Sequence, residues 1–242
     1  MKDVGSIKYR QEVAHDLENE MLLENIESFA QKMILIRRYL AMIEKLTYKY
    51  HKEGWFLEAV EVYCDAVTCL VHDLNLAGLK SPGLLAFRDY ITNYASSDGF
   101  TFLLAETKKI KADLSTIKYC LIIKGSKVTV RKYEQEIDYS ADVEKTFEKF
   151  KQGAVKDYRV ELPVRSGMNH VEAQILDLVA KLYPDIFLNL DDYWTKNAAY
   201  LDETIAVFDR EIHFYVAYLE YIAKCKRAGL KFCYGRIFQT DN

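Results

Sequence analysis

Proline and glycine are scarce here, three and ten among 242 residues. Punctuation that sparse excludes a many-stranded sandwich, which needs a turn every ten residues or so, and favours long helices. Long apolar runs are missing too. No stretch reaches the roughly 18 consecutive apolar residues of a membrane span, and no apolar signal core follows the first charges. The expectation is a protein that is neither secreted nor membrane-embedded. Paired cysteines are also lacking: Cys64, Cys69, Cys120, Cys225 and Cys233 are odd in number and show no C-x-x-C spacing. That usage reads as reduced thiols in a cytoplasm, not as a disulfide frame. Nor is there a strong excess of one charge. The formal net charge is -3 with a pI near 6.0, so the overall field mildly repels phosphate and nucleic-acid contact needs a local basic patch.

Several kinds of chemistry are absent as well. None of the ten glycines is followed by lysine, which removes the G-x-x-x-x-G-K-S/T loop that cradles nucleotide phosphates. Cys69 and His72 share a helical face beside Asp73, but a tetrahedral metal site needs a second pair and the sequence offers none. They read as helix residues. His213 stands beside Phe214 and Tyr215 and reads as a packed side chain with one hydrogen bond, not as a general base. Glu134, Glu136 and Asp138 read as a solvated strand exit. The expectation is that this chain carries no catalytic, metal or cofactor-binding residue.

What is there is helical periodicity. With 50% hydrophobic residues the chain can bury a substantial core. Apolar residues Leu17, Met21, Ile26, Phe29, Met33, Ile36, Leu40, Ile43 and Leu46 keep helical spacing over residues 14–52, predicting one long amphipathic helix or a close pair. Gly54 is expected to interrupt it. A second helix then runs over 55–76 through Leu57, Val60, Tyr63, Val67 and Leu70, closed by Gly78 and the Ser81-Pro82-Gly83 turn. Two more are predicted over 84–94 and 99–114, the latter with Ser96, Ser97 and Asp98 as candidate caps. Asn169 caps a later helix through Val171, Ile175, Leu178 and Leu182, Pro184 breaks or restarts the path, and a long helix is expected from about Asp191 onward. Its stretch FDREIHFYVAYLEYI, 208–222, has a seam of Phe208, Ile212, Tyr215, Leu219 and Ile222. Phe214, Tyr218 and Tyr221 lie off that seam, so a second surface must cover them.

Between the helical regions the period changes. YCLIIK, Gly125-Ser126 and KVTVRKY are β-branched and aromatic around a turn pair, a hairpin signal over 119–133. A third strand over 157–162 and a charged helix over 141–152 are expected beside it. Lys124 and Lys127 bracket the turn, and Lys118, Arg131 and Lys132 lie on the strands. Such a projection can touch phosphates without reading sequence, or be an ordinary edge hairpin kept soluble by its lysines. Both readings stand.

The opening KYRQEVAHDLEN at 8–19, followed by a long helix, resembles the start of the helical core of MutS-family mismatch-repair proteins. The segments EAQILDLV at 172–179, YLDETIAVFDRE at 200–211 and GLKFCYGRI at 229–237 are similar to that family's lever helices and their crossing into the ATPase domain, and FDREIHFYVAYLEYI at 208–222 resembles a divergent MutS-like branch of bacteria. The insertion over 117–165 is far smaller than the family's usual clamp, no Phe-x-Glu mismatch reader is visible, and the ATPase motifs are missing. The resemblance implies a mainly α, elongated helical bundle with long lever helices and a small antiparallel β insertion. Its parts would be a helical core at 1–116, a reduced clamp at 117–165 and lever helices at 166–242. It implies a non-catalytic core and lever fragment that couples a following ATPase domain, docked on the surplus aromatic face, to double-stranded DNA. ATP and magnesium are expected only in a full-length, homodimeric parent, and Lys124, Lys127, Arg131 and Lys132 become candidate DNA contacts. The alternative is a helical protein–protein interaction module with no nucleic-acid role.

Overall fold

Capping side chains decide where the first helices stop. In the structure, a computed structural model that describes residues 4–135, 145–146 and 167–235, α1 spans Val4–Asp16 and α2 spans Glu20–Ile43. After residues 17–19 separate the two, Asn19 starts the second, its side-chain oxygen accepting the Leu22 N–H at 3.3 Å. The next break falls at residues 44–48, and α3 then runs unbroken through Lys49–Leu76. The expected interruption at Gly54 is therefore absent. One glycine inside a helix costs only about 1 kcal/mol, and α3 recovers more by burying Phe56, Leu57, Val60, Tyr63, Val67 and Leu70.

Ser81 and Ser97 open α4, Pro82–Ala95, and α5, Asp98–Ser115, each accepting a backbone N–H three residues on. The hairpin follows as β1, Tyr119–Lys124, and β2, Lys127–Lys132. Asn169 and Glu172 form a reciprocal capping box at the start of α6, His170–Leu182, and Pro184 opens α7, Pro184–Lys196. The terminal helix does not begin near Asp191. Asp202 accepts the Ile205 N–H at 3.0 Å and starts α8, Glu203–Arg227, after a turn that separates it from α7. The described residues are thus eight helices and one two-stranded antiparallel sheet, a mainly α fold with a small β insertion. The expected strand at 157–162 lies outside the described residues, as does the expected helix at 141–152 except for residues 145–146.

Three helices make the axis of the bundle. α2 packs along α3, and α8 runs antiparallel to α2, pairing Asp209 with Arg37 near one end and Lys226 with Glu18, 3.8 Å apart, near the other. α5 and α7 cover α3 elsewhere: Lys111 reaches Glu58 and Glu61, and the Thr107 hydroxyl lies 2.6 Å from the Tyr193 hydroxyl. The fully buried Tyr63 hydroxyl donates to the Tyr94 hydroxyl at 3.0 Å and accepts the Asp202 N–H at 3.2 Å, joining α3, α4 and the start of α8. Phe87 of α4 stacks on Phe208 of α8, centroids 3.7 Å apart. α1 crosses the start of α4 so closely that a Cβ at Gly83 would lie 2.5 Å from the Tyr9 hydroxyl oxygen.

Candidate functional site

The hairpin turns at Gly125, whose φ of +61° is a left-handed conformation that suits glycine. Its register pairs Lys124 with Lys127, Ile122 with Thr129, Cys120 with Arg131 and Tyr119 with Lys132. Residues directly opposite one another share a face, and successive residues alternate. Lys124, Lys127 and Arg131 therefore stand together on one face with Ile122 and Thr129. Lys132 belongs to the other, with Leu121, Ile123, Val128 and Val130. There its ammonium sits 5.0 Å over the ring of Tyr183, whose hydroxyl donates to the Lys118 carbonyl at 2.5 Å. Of the four basic candidates, three converge and the fourth anchors the hairpin to the junction of α6 and α7. Lys124 and Lys127 are exposed and pair with no carboxylate among the described residues. Residues 118–133 hold Lys118, Lys124, Lys127, Arg131 and Lys132 and no Asp or Glu, which makes this a local basic patch on a chain of negative net charge.

The second surface is the outer face of α8. The inner seam is as the spacing predicts, with Ile205, Ile212, Tyr215, Leu219 and Ile222 buried, while Phe208 is half-buried against Phe29 and Phe87. Phe214, Tyr218 and Tyr221 are exposed, at 58%, 41% and 65%. Phe214 and Tyr218 lie with nearly parallel rings 6.2 Å apart, and the Arg10 guanidinium is 5.7 Å above Phe214. A cleft of about 720 Å³ opens beside them between α1 and α8, lined by Tyr9, Arg10, Glu211, Phe214 and Tyr215 among others.

Side-chain contacts place these two surfaces toward opposite ends of α3. The hairpin base is held by Tyr183, close to Phe187, which packs edge-on to Tyr50 at the start of α3 with centroids 4.8 Å apart. At the other end Lys226 of α8 reaches Glu18, and the neighbouring Asp16 accepts the N–H groups of Lys80 and Ser81, just beyond the last residue of α3. Residues 228–235 fold back toward α1, where Gln11 donates to the Gly235 carbonyl at 3.1 Å and His15 faces Tyr234. The 28 residues of α3 make that helix about 42 Å long.

Two buried acids escaped sequence reading. Asp209, its side chain 3% exposed, sits on the inner seam of α8 and accepts from Arg37 of α2. The clue was its position, a carboxylate midway between Ile205 and Ile212 where the helical period demands an apolar residue. His213, expected as a packed side chain with one hydrogen bond, is half-exposed at the rim of this pair, 3.4 Å from an Asp209 oxygen and 3.4 Å from Arg37. Glu53 is buried near the start of α3, with Lys49 3.8 Å away and Lys49 also bound to Asp191. Burial, reinforced by the Asp191 charge and opposed by Lys49, pushes the Glu53 carboxyl up to about 7. Burial likewise raises the Cys64 thiol to about 11, so it stays protonated and inert. Cys69 lies beside Asp65 and Lys32, and among the described residues no three His, Cys, Asp or Glu side chains gather as a metal site would require.

No protein-family model, no curated protein and no solved structure matches this chain.

Proposed function

We propose that this chain is the non-catalytic core and lever of a MutS-like cytoplasmic ATPase that acts in mismatch repair or binds DNA structure. The face formed by Lys124, Lys127 and Arg131 meets the phosphates of double-stranded DNA without reading sequence. α2, α3 and α8 carry the resulting displacement to a nucleotide-hydrolysing domain seated on the aromatic face of α8. The observation that supports this reading is the placement just described: a basic hairpin face and an exposed aromatic face toward opposite ends of α3, a helix about 42 Å long, with α2 and α8 packed side by side. ATP and Mg²⁺ belong to the neighbouring domain in this assembly, and two levers of a homodimer close on one duplex so that weak contacts act together.

A second reading rests on the exposure of Phe214, Tyr218 and Tyr221. In it the chain is a helical interaction module that binds a protein partner through those rings. Duplex binding across a salt series separates the two. Two or three phosphate contacts support only weak binding, in the roughly micromolar to hundred-micromolar range. Charge reversal in K124E/K127E is expected to abolish most of it and to lower the dependence of log K on log salt by about two. Equal affinity and salt dependence for the parent and the double variant would leave the interaction module as the better account.

A further inference from the structure

We propose that the cleft between α2, α3 and the start of α6 binds an alkylated ammonium group, such as the head of choline or of a trimethylated lysine. Neither the hairpin nor the outer face of α8 takes part, so this site stands apart from the DNA reading above. The cleft holds about 510 Å³. Tyr50, Gly54 and Glu58 recur every four residues and form one stripe along α3, with His51 and Trp55 on the neighbouring stripe. Tyr39 comes from α2 and meets Trp55 with ring centroids 4.9 Å apart and planes at 53°, which makes an open aromatic corner. Tyr39, Tyr50 and Trp55 are all half-buried. Gly54 lines the cleft between them, and a Cβ there would meet nothing within 4 Å, so the absent side chain leaves room against the helix backbone. Met168 and Leu176 complete the wall with apolar surface.

The charge of this lining selects the ligand. No lysine or arginine lines the cleft. The Trp55 indole N–H donates to His51 Nε2 at 3.0 Å, and because that nitrogen must then accept, His51 is the neutral imidazole. Burial acts in the same direction by lowering the His51 pKa. Glu58 supplies negative charge. Lys111 reaches it at 2.8 Å but is shared with Glu61, so one ammonium faces two carboxylates and the trio keeps a net charge of about minus one. Aromatic rings present negative faces, so a cation gains electrostatic attraction where a neutral ligand gains contact area alone and an anion is repelled. The chain already uses this preference once, with the Lys49 ammonium 5.6 Å over the Tyr50 ring. Among the described residues no cation covers Tyr39 or Trp55. Methyl groups spread the charge over an apolar surface, so an alkylated head enters such a corner at a lower hydration cost than a bare ammonium.

The test titrates the full chain, by ligand-observed NMR, with choline, with N-acetyl-trimethyllysine amide and with the neutral alcohol in which carbon replaces the nitrogen of choline. A charged probe should bind in the roughly millimolar range and about fivefold tighter than the alcohol. The tighter of the two charged probes identifies the source, a free small molecule or a modified protein. Tyr39→Leu keeps apolar bulk and removes a ring, and it should weaken the charged probes about fivefold while changing the alcohol by less than about twofold. Glu58→Gln, at a half-exposed position, should weaken the charged probes about threefold. The comparison of probes needs no variant, so it decides even where a variant fails to fold. Equal affinity for choline and the alcohol, unchanged affinity for the charged probes in both variants, or no binding of either charged probe would overturn the site and leave the DNA reading untouched.

Discussion

Leu219 is buried on the α8 seam, and Lys226, seven residues on, reaches Glu18 at 3.8 Å from a half-exposed position. Truncating the first leaves a cavity, whereas truncating the second removes a solvent-screened pair. Leu219→Ala is therefore expected to cost about 2–5 kcal/mol in denaturant unfolding and Lys226→Ala less than about 1 kcal/mol. Equal losses would place the seam elsewhere. Glu53 gives a pH-dependent counterpart. Its folded-state carboxyl is raised to about 7 from an ordinary value of 4.5, so the native state holds the proton more tightly than the unfolded chain. Its contribution is fully present below about pH 4.5 and is lost as pH rises through 7. Glu53→Gln should match the parent near pH 4 and exceed it by on the order of 1–3 kcal/mol at pH 8. Urea melts at the two pH values check this, and an unchanged difference would show that Glu53 is not held protonated.

Among the elements, α3 carries the clearest flaw in local propensity. Gly54 lies inside it, a Cβ there would meet nothing within 4 Å, and the backbone is helical. Gly54→Ala should raise stability by about 0.5–1 kcal/mol, because alanine lowers the entropy of the unfolded chain and adds no clash. A loss in thermal or chemical unfolding would mean that this position needs its glycine for something beyond the helix. The contrast is Gly83, where the phenol of Tyr9 occupies the space that a Cβ would take, so the same glycine-to-alanine exchange requires the Tyr9 ring to move. Periodicity reported α4 well, and α3 apart from the break expected at Gly54. It could not distinguish an interior glycine that is merely tolerated from one on which two helices cross, since that difference lies in which side chain the fold brings opposite.

At the scale of the whole molecule, the chain combines an acidic net balance with, among the described residues, a basic hairpin and an exposed aromatic face. No glycine of the chain is followed by lysine, so the proposed lever has no G-x-x-x-x-G-K-S/T loop of its own. The purified chain is expected to release phosphate from ATP no faster than a buffer control, as measured by a coupled phosphate assay. Hydrolysis at ordinary enzyme rates that survives stringent purification would require a nucleotide site in the chain and would overturn the lever reading.

The sequence alone determined the features that depend on local spacing. Among these were mostly helical structure from scarce proline and glycine, the hairpin around Gly125-Ser126, a cap within Ser96–Asp98 and one at Asn169, and the seam through Ile212, Tyr215, Leu219 and Ile222. Each follows from interactions within a few residues, where backbone geometry is nearly fixed. Tertiary structure decided the rest. Helix breaks moved from Gly54 to residues 17–19 and 44–48, because burial along α3 outweighs one poor helix former. Lys132 parted from Lys124, Lys127 and Arg131 because strand pairing put it on the face that meets Tyr183. Asp209 found Arg37 172 positions away in the chain, and the two candidate surfaces came to lie at opposite ends of α3. These are meetings between distant segments, and only the packing of whole helices decides which side chains they bring together.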